Sequence, residues 1–480
     1  MKKFIFPALF AFLFVFASCM NMSGSSGEGG SVRVVLPGSA RYSFSQDKAD
    51  KFVVTISLGS KLVDTKTEFS GGVIEFDELN PGDYIIEAKA FDSDNDLVVG
   101  WGIAEATVNA GESTECTLAL ALTKCISTFD SVPSSSKYKY LAVASSADMV
   151  KLGEWVNSGS DLEGITITLA DDLDMTGCAE FDCMGVTKAD STGDIQGNAF
   201  KGVFDGAGHS ITLAITPTDP QPMGLFWQND GIIMNVTIKQ YSSNGQIGST
   251  QALNLSRGGI ICSVNNGIIK NCVVNADVTS WSVAEIAGIA RENSSSGKIL
   301  NCIVTGDITM NCDAAAANWA DDYGKSAGIA AVNSGSIENC VYTGKITTKE
   351  VTDNSTFLSN ISGAISAYTE GSITNCYWLK DNIDRGGTAV NQVAYINKES
   401  GGYEKICIPD PSKITGCGYF DTNSPSASVT AGTTSECKSA QTLAYSGTLL
   451  EMLNAYVAAN SDSELKKWKA GTDGSLSLDF

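Results

Sequence analysis

The sequence contains one histidine in 480 residues and no Cys-x-x-Cys pair, which argues against a zinc site built from the usual paired ligands. Positive charge is also scarce, because 32 lysines and arginines stand against 54 aspartates and glutamates, for a net charge of −22. Such a charge repels phosphate backbones, so nucleic acid is not expected as a partner. Proline is rare, with 10 residues against 48 glycines, which favours strands joined by tight turns.

The N-terminal residues have the pattern of a lipoprotein leader. Two lysines precede an apolar run from Phe4 to Ala17, which is too short to span a bilayer. The run ends at Phe16-Ala-Ser-Cys19, which resembles a lipobox with Phe16 in place of the usual leucine. This resemblance implies a signal peptide over residues 1–19, a lipidated Cys19 and a lipid anchor in a bacterial membrane, expected to be the outer membrane or cell surface. An ordinary signal peptide with an incidental cysteine is the alternative.

Residues 20–31 are expected to be a flexible tether, because they are rich in glycine and serine. Residues 32–125 are predicted to form a β-sandwich, and residues 126–138 a linker. The turn and alternating strand in Leu79-Asn-Pro-Gly-Asp-Tyr84 and the residues after it resemble the prealbumin-like or Ig-like modules of bacterial surface proteins. The acidic stretch 92–96 lacks the glycine and the final carboxylate of an EF-hand loop, which favours a solvated hairpin tip over a calcium site.

A repeated unit dominates residues 139–436. A small residue, a glycine and two apolar residues lead through a turn into Gly-x-Ile-x-Asn-Cys, and the asparagines of four copies are 30, 38 and 36 residues apart. Alone, such a unit leaves strand edges unpaired, whereas stacked units pair equivalent strands about 4.8 Å apart. The unit resembles the GLUG-type repeat of bacterial surface proteins. The chain is therefore predicted to be all-β, with the N-terminal β-sandwich followed by a parallel, right-handed β-helix and short capping helices.

Both ends of the predicted β-helix need covering, because an open end coil would pair with another strand. A helix capped by Ser146, with Met149, Leu152 and Val156 on one face, is expected to cover the first coil. Residues 437–480, which include a second amphipathic segment from Thr448 to Ala459, are expected to cap the far end.

The Asn-Cys pairs are interpreted as structural columns rather than as reactive groups. Each cysteine is expected to face the core as a small apolar residue, and each asparagine to stack as an amide ladder at a bend. Widely scattered cysteines also allow disulfides in a secreted chain, and for the other cysteines that alternative stays open. The repeated positions are Asn271, Cys272, Asn301, Cys302, Asn339, Cys340, Asn375 and Cys376.

The expected function is non-catalytic binding, adhesion or scaffolding at a membrane surface, without a cofactor, and with a glycan or a host or extracellular-matrix protein as the partner. The alternative is a carbohydrate-active enzyme, either a polysaccharide lyase or a glycoside hydrolase. The candidate catalytic groups of such an enzyme are interpreted as structural. They are the carboxylates Asp171, Asp172 and Asp174, the imidazole of His209, and the arginines Arg257, Arg291 and Arg385, for which the repeat register supplies no acidic partners. The aromatic residues Tyr342, Tyr377 and Trp378 are candidates either for sugar contact or, more simply, for core packing.

The anchor is tested by Cys19→Ala. Because lipidation requires the thiol of Cys19, the substituted protein should move from the detergent phase to the aqueous phase in a Triton X-114 partition. Ser18→Ala, which preserves a small residue beside the cysteine, is the matched control and should stay in the detergent phase. Continued membrane attachment of Cys19→Ala would refute the lipobox interpretation.

Overall fold

The computed structural model describes residues 20–23, 29–36, 49–69, 72–92, 97–178, 183–186, 197–213, 222–240, 253–254, 257–280, 285–310, 324–348, 361–385, 388–390, 392–393, 411–437 and 440–480. Cys19 and residues 93–96, for which the sequence predicts an anchor and a hairpin tip, lie outside these ranges. The chain divides into two compact units, residues 1–142 and 143–480.

The strands up to the end of the first unit range from two to twelve residues. They are β1 (Met20–Ser23), β2 (Gly30–Val35), β3 (Lys51–Leu58), β4 (Lys61–Phe69), β5 (Val73–Leu79), β6 (Gly82–Asp92), β7 (Leu97–Val108), β8 (Glu112–Thr117), β9 (Ala121–Leu122), β10 (Lys124–Cys125) and β11 (Tyr140–Val143).

Two sheets make up the first unit, with the orders β1-β8-β2-β5 and β4-β3-β6-β7-β9. Alternate residues of the strands are buried, as in Phe52, Val54 and Ile56 of β3, so that each sheet has one apolar face as in a β-sandwich. The hydroxyl of Tyr84 donates to the carbonyl of Asn80 at 2.9 Å. This bond braces the Pro-Gly turn and gives the tyrosine of the sequence motif a structural role.

The predicted tether is shorter than residues 20–31. Met20–Ser23 pairs antiparallel with β8, and β2 already begins at Gly30. The pairing satisfies backbone groups along an edge of β8 that would otherwise lack strand partners. Gly30 is needed for close packing rather than for flexibility, since a Cβ there would lie 2.3 Å from the carbonyl oxygen of Asn109.

The second unit contains three helices, α1 (Ser146–Asn157), α2 (Thr434–Cys437) and α3 (Leu449–Ala459), in its described part. Its strands follow in chain order: β12 (Thr166–Leu169), β13 (Leu173–Asp174), β14 (Ala199–Phe200), β15 (Val203–Asp205), β16 (Ser210–Leu213), β17 (Pro222–Met223), β18 (Phe226–Asn229), β19 (Ile232–Met234), β20 (Thr237–Gln240), β21 (Leu253–Asn254), β22 (Arg257–Gly259), β23 (Cys262–Asn265), β24 (Ile268–Lys270), β25 (Val273–Asn275), β26 (Val278–Ser280), β27 (Glu285–Ala287), β28 (Ala290–Asn293), β29 (Lys298–Leu300), β30 (Ile303–Val304), β31 (Ile308–Met310), β32 (Lys325–Ala327), β33 (Ala330–Asn333), β34 (Ser336–Glu338), β35 (Val341–Tyr342), β36 (Ile346–Thr348), β37 (Ile361–Gly363), β38 (Ser366–Thr369), β39 (Ser372–Thr374), β40 (Tyr377–Leu379), β41 (Ile383–Arg385), β42 (Thr388–Val390), β43 (Ile414–Thr415), β44 (Gly418–Phe420), β45 (Val429–Ala431), β46 (Trp468–Ala470) and β47 (Leu476–Leu478).

These strands stack into five long sheets, apart from a short β46-β47 hairpin. Sheet 1 runs through β12-β15-β19-β24-β29-β34-β39-β43, sheet 2 through β13-β16-β20-β25-β30-β35-β40-β44-β45, and sheet 3 through β14-β18-β23-β28-β33-β38. Sheet 4 is β17-β22-β27-β32-β37, and sheet 5 is β21-β26-β31-β36-β41-β42. Within these sheets, the pairs between successive coils are parallel, so the predicted all-β chain with a parallel β-helix is confirmed.

Identical positions of successive coils face each other in this stack. Ile299 of sheet 1, for example, pairs with Ile269 on one side and Ile337 on the other, and all three are fully buried. The same column extends from Ile167, which pairs with Phe204, to Ile414, which pairs with Ile373. The core is therefore a set of parallel apolar columns, each side chain contacting its equivalents about 4.8 Å away.

Helix α1 has its cap one residue earlier than the sequence indicates. The extended residue Ser145, not Ser146, accepts the hydrogen bond from the backbone N–H of Asp148. Asp148 in turn accepts a bond from the hydroxyl of Ser145 at 2.8 Å, so the two side chains stabilise the first turn reciprocally. The predicted apolar face, Met149, Leu152 and Val156, is fully buried.

The far end of the stack is closed by strands that reverse direction. β42 pairs antiparallel with β41, and β45 pairs antiparallel with β44. The sequence predicts that residues 437–480 cap this end, but α3 and the β46-β47 hairpin share one buried cluster with side chains of four successive coils of sheet 2, namely Val273, Ile303, Val341 and Tyr377. Because that row of side chains is apolar and points away from the β-helix core, it supplies a longer hydrophobic surface than the end coil does.

Stacking is tested by Ile329→Asp. Ile329 is fully buried, its N–H donates to the carbonyl of Ile365 at 3.2 Å, and its carbonyl accepts from Ile289 at 3.1 Å. An unpaired carboxylate in this column should cost on the order of several kcal/mol of unfolding free energy. Hydrogen exchange should therefore accelerate around Ile289 and Ile365, while the first unit keeps its protection. Unchanged exchange at both neighbours would contradict the stacking, and Ile329→Val, which keeps the column apolar, is the control.

Candidate functional site

The four repeat asparagines form one column at the bend between sheets 1 and 2. Their backbone is left-handed, with φ between 53° and 54°, a conformation that asparagine tolerates better than most other residues with a side chain. The amide of Asn301 donates to Asn271 at 2.9 Å, that of Asn339 donates to Asn301 at 2.7 Å, and that of Asn375 donates to Asn339 at 2.7 Å. Asn235, one coil earlier, accepts from Asn271 at 3.0 Å and extends the column.

The cysteines beside them form a second column within the core. Cys272, Cys302, Cys340 and Cys376 are fully buried free thiols, and Cys417 continues the series. Each thiol donates to a backbone carbonyl two residues earlier, as from Cys302 to Leu300 at 3.1 Å. Burial raises the pKa of Cys302 and Cys376 well above the usual value, and that of Cys417 to about 12. Cys302, Cys376 and Cys417 are therefore poor nucleophiles and poor metal ligands. At Cys340, burial is outweighed by hydrogen bonds from the neighbouring thiols of Cys302 and Cys376, which lower its pKa to about 5.

A second amide column, at the end of the sheet 3 strands, was missed by the sequence analysis. Asn229, Asn265, Asn293 and Asn333 are fully buried, and each Nδ2 donates to the next side chain along the stack at 2.8 to 2.9 Å, ending on the hydroxyl of Thr369. The sequence signal for this column is an asparagine that stands a few residues before the second glycine of most repeats. The two columns hold the corners of each coil on opposite sides of sheet 1.

The C-terminal strap, which we define as residues 448–480, covers the outer face of sheet 2. Strands β25, β30, β35 and β40 consequently bury side chains on both faces. The sequence carries this signal, because two apolar residues follow each repeat cysteine, as in Val273-Val274 and Ile303-Val304. An alternating strand with one solvated face would have a polar residue in one of these positions.

The strap also binds the first asparagine column through hydrogen bonds. Asn301 donates to the carbonyl of Lys466 at 2.9 Å and accepts from the indole of Trp468 at 2.6 Å. Lys270, whose side chain is 5% exposed, forms ion pairs with Asp462 at 2.8 Å and Glu464 at 2.6 Å. The repeat asparagines therefore join the coils to one another and to the strap.

The three candidate aromatic residues lie away from solvent, so sugar contact by them is wrong. Tyr342 and Trp378 are neighbours in an inward column of sheet 2, and Tyr377 lies under the strap. All three are fully buried. Their hydrophobic surface is used for packing, which is the simpler of the two interpretations.

The candidate catalytic carboxylates near the first coils bind backbone groups. Asp171 accepts from the N–H of Asp172, and Asp174 accepts from the N–H of Thr176. Asp172 accepts from the N–H of Ser210 at 2.7 Å and lies 3.7 Å from Nδ1 of His209. Burial opposes ionisation of Asp172, but the hydrogen bonds from Ser210 prevail and lower its pKa.

The hydrogen bonds that Thr176 donates to Asp174 likewise lower the pKa of Asp174. Both carboxylates are therefore poor proton donors, whereas the general acid of a glycoside hydrolase requires a raised pKa.

The expectation that the arginines lack acidic partners is wrong for Arg291. Its guanidinium forms ion pairs with Glu285 at 2.7 Å and Glu292 at 3.0 Å, and Lys325 on the adjacent coil also pairs with Glu285. We call these four residues the bend cluster. Glu285 and Arg291 lie six residues apart on sheets 4 and 3, and the chain turns between them at Gly288, where a Cβ would lie 2.4 Å from the carbonyl oxygen of Gly328. The side chains of Arg257 and Arg385 lie outside the described part of the structure.

The bend cluster is partly open to solvent, and its cations favour the ionised form of Glu285. Arg291, Glu285 and Lys325 have side chains about one fifth exposed, at 19%, 20% and 20%. Although burial opposes ionisation, Lys325 and Arg291 hold the pKa of Glu285 below its usual value. Nε of Arg291 also donates to the hydroxyl of Ser263 one coil away at 3.1 Å, so the guanidinium is fixed in orientation.

Small apolar residues lie on the same two sheets as the bend cluster. Ala287, Ala327, Ala331 and Ala367 form one buried group with Ile361, against which the half-buried Tyr368 packs. The hydroxyl of Tyr368 donates to Glu370 at 2.9 Å. This region therefore offers charged donors, carboxylate acceptors and one aromatic ring, which is the strongest candidate for a binding site in the described residues.

Within the described ranges, no group of three or more histidine, cysteine or acidic side chains is close enough together to hold a metal ion. The helices in those ranges include none that is long and apolar enough to cross a membrane. Comparisons of the chain with protein-family models, curated proteins and solved structures found no match.

The cysteine column is tested by thiol labelling. Because Cys272, Cys302, Cys340 and Cys376 are fully buried, maleimide should reach and modify them only after denaturation. Cys178, which is partly exposed, should react in the native protein and serves as the internal control. Mass spectrometry that found the four residues in disulfides, or labelled as fast as Cys178, would contradict the column.

Proposed function

We propose that this chain is a lipid-anchored bacterial surface or periplasm-facing protein that acts as a non-catalytic binding, adhesion or scaffold module through its β-helix. The observation that carries the proposal is the bend cluster, in which two cations and two carboxylates are held in fixed positions, with Tyr368 two coils along sheet 3 from Glu292. The anchor rests on the Ala-Ser-Cys19 junction of the sequence.

The rigidity of the bend cluster supports a binding role. Arg291 and Lys325 lie on strands β28 and β32, whose neighbours in sheets 3 and 4 are paired in register on both sides. Ion pairs and the bond to Ser263 already restrict their side chains. Because little conformational entropy remains to be lost, a ligand that matches these groups would bind without a large ordering cost.

A glycan is the partner that this chemistry favours. Sugar hydroxyls both donate and accept hydrogen bonds, so they suit a surface where Arg291 and Lys325 alternate with Glu285 and Glu292. The ring of Tyr368 adds an apolar surface for the carbon face of a pyranose. A host or extracellular-matrix protein is the second kind of partner, and the experiment below separates the two.

One observation favours the enzyme alternative. Asp277 and Asp307 occupy equivalent turns of adjacent coils, and the N–H of Asp307 donates to Asp277 at 2.7 Å. Burial and the nearby charge of Asp307 raise the pKa of Asp277. A carboxyl group with a raised pKa near a second carboxyl group is the combination that glycoside hydrolysis uses. Both groups also accept backbone hydrogen bonds from the next coil, which is a structural use of the same atoms.

The proposal is tested with a glycan and matrix-protein array probed with the chain from residue 20 onward. A specific glycan should be retained without chain cleavage, and Lys325→Gln should raise its dissociation constant by about tenfold or more because one fixed donor is lost. Lys298→Gln removes an exposed lysine on β29 and should bind normally. Thermal unfolding of both variants checks that they fold.

Other outcomes have definite meanings. Equal binding by Lys325→Gln and Lys298→Gln would exclude the bend cluster as the site, and retention only of a matrix protein would replace the glycan. Cleavage of a polysaccharide that Asp277→Asn abolishes, while Asp171→Asn and Asp174→Asn retain it, would establish the enzyme.

A further inference from the structure

Strand β4 is a long exposed edge of the five-stranded sheet in the first unit. In the described residues it pairs only with β3, and its side chains are mostly exposed along its whole length. Leu62, Val63 and Phe69 are 57%, 43% and 61% exposed. An edge of this length with apolar side chains is a ready surface for adding another strand.

Two of the charges along β4 are arranged symmetrically about its middle residue. Thr65 is central, Asp64 precedes it and Lys66 follows it. If a second β4 lies antiparallel with Thr65 opposite Thr65, Asp64 of each copy faces Lys66 of the other. Both pairs then have opposite signs and point to the same face of the joined sheet. Lys61 and Glu68, farther from the middle, would face the uncharged Phe69 and Leu62.

Asp64 is available for such a pair, because among the contacts that the structure shows for it, it accepts only the short-range bond from the N–H of Thr65, at 2.8 Å. Lys66 donates to the carbonyl of Glu75 on β5 of the other sheet and has its ammonium 5.2 Å from the ring centre of Phe76. In the dimer, Lys66 would exchange this contact within its own copy for the carboxylate of Asp64 of the second copy.

We propose that the protein forms a symmetric homodimer in which the β4 strands of two copies pair antiparallel about Thr65 and join their five-stranded sheets. The two-fold axis makes the contact isologous, so pairing closes at two copies and does not propagate into fibres. A second copy fits better than an unrelated strand because the charge order of β4 complements itself. This assembly is independent of the glycan site on the β-helix.

The test is charge reversal, measured by sedimentation velocity on the chain from residue 20 onward. The unmodified chain should show a concentration-dependent monomer–dimer equilibrium. Asp64→Lys places a lysine opposite Lys66 of the other copy, and Lys66→Asp places an aspartate opposite Asp64 of the other copy. Each variant should therefore raise the dimer dissociation constant by about tenfold or more. The double variant Asp64→Lys/Lys66→Asp restores opposite signs and should dimerise again.

Mixing the two single variants gives the most specific result. One copy then carries two lysines and the other two aspartates at these positions, so a heterodimer should form although each variant alone is monomeric. Asp77→Lys on β5, which changes the net charge by the same amount as Asp64→Lys at another exposed position, is the control and should dimerise normally. Circular dichroism checks the fold of every variant.

The proposal is overturned if the unmodified chain stays monomeric at all concentrations. It is also overturned if it dimerises but neither single reversal weakens the dimer. Equal weakening by Asp77→Lys would show that net charge, rather than the pairing about Thr65, controls association.

Discussion

In-register pairing of each strand with its equivalent one coil away is the constraint on which the second unit depends. It satisfies the backbone of Ile289, Ile329 and Ile365 in one continuous series of hydrogen bonds and places the three side chains in one column. Because each coil contacts chiefly its two neighbours, a residue that suits the column is favoured at every repeat. The amide columns follow from this spacing, since a separation of about 4.8 Å lets one asparagine side chain bond to the next.

Stacking leaves two problems that the chain solves with segments outside the repeat. At the far end of the stack, β41 and β44 would expose strand edges, and β42 and β45 cover these two edges by pairing antiparallel. Sheet 2 has an apolar outer face, and the strap covers it while forming hydrogen bonds to Asn271 and Asn301. The strap therefore adds hydrophobic burial and also satisfies polar groups at the bend, where an unpaired amide would be costly.

The charged groups of the second unit fall into two kinds. Asp171, Asp172 and Asp174 bind nearby backbone N–H groups and stabilise turns. The bend cluster differs, because its four charges bind one another across strands and remain about one fifth exposed or more. Charges that are held in fixed positions on a rigid surface are suited to recognition.

The sequence by itself determined the stack, because a recurring Gly-x-Ile-x-Asn-Cys segment predicts which residues face each other without any knowledge of distant contacts. Asn271, Asn301, Asn339 and Asn375 could be identified as one column in this way, and the second amide column carried the same kind of signal. The strap and the bend cluster could not be predicted so directly. Trp468 meets Asn301 across 167 residues, and Glu285 meets Arg291 only because the coil turns at Gly288. Such contacts are decided by tertiary packing, since local periodicity reports which face of a strand is apolar but not which distant segment will cover it.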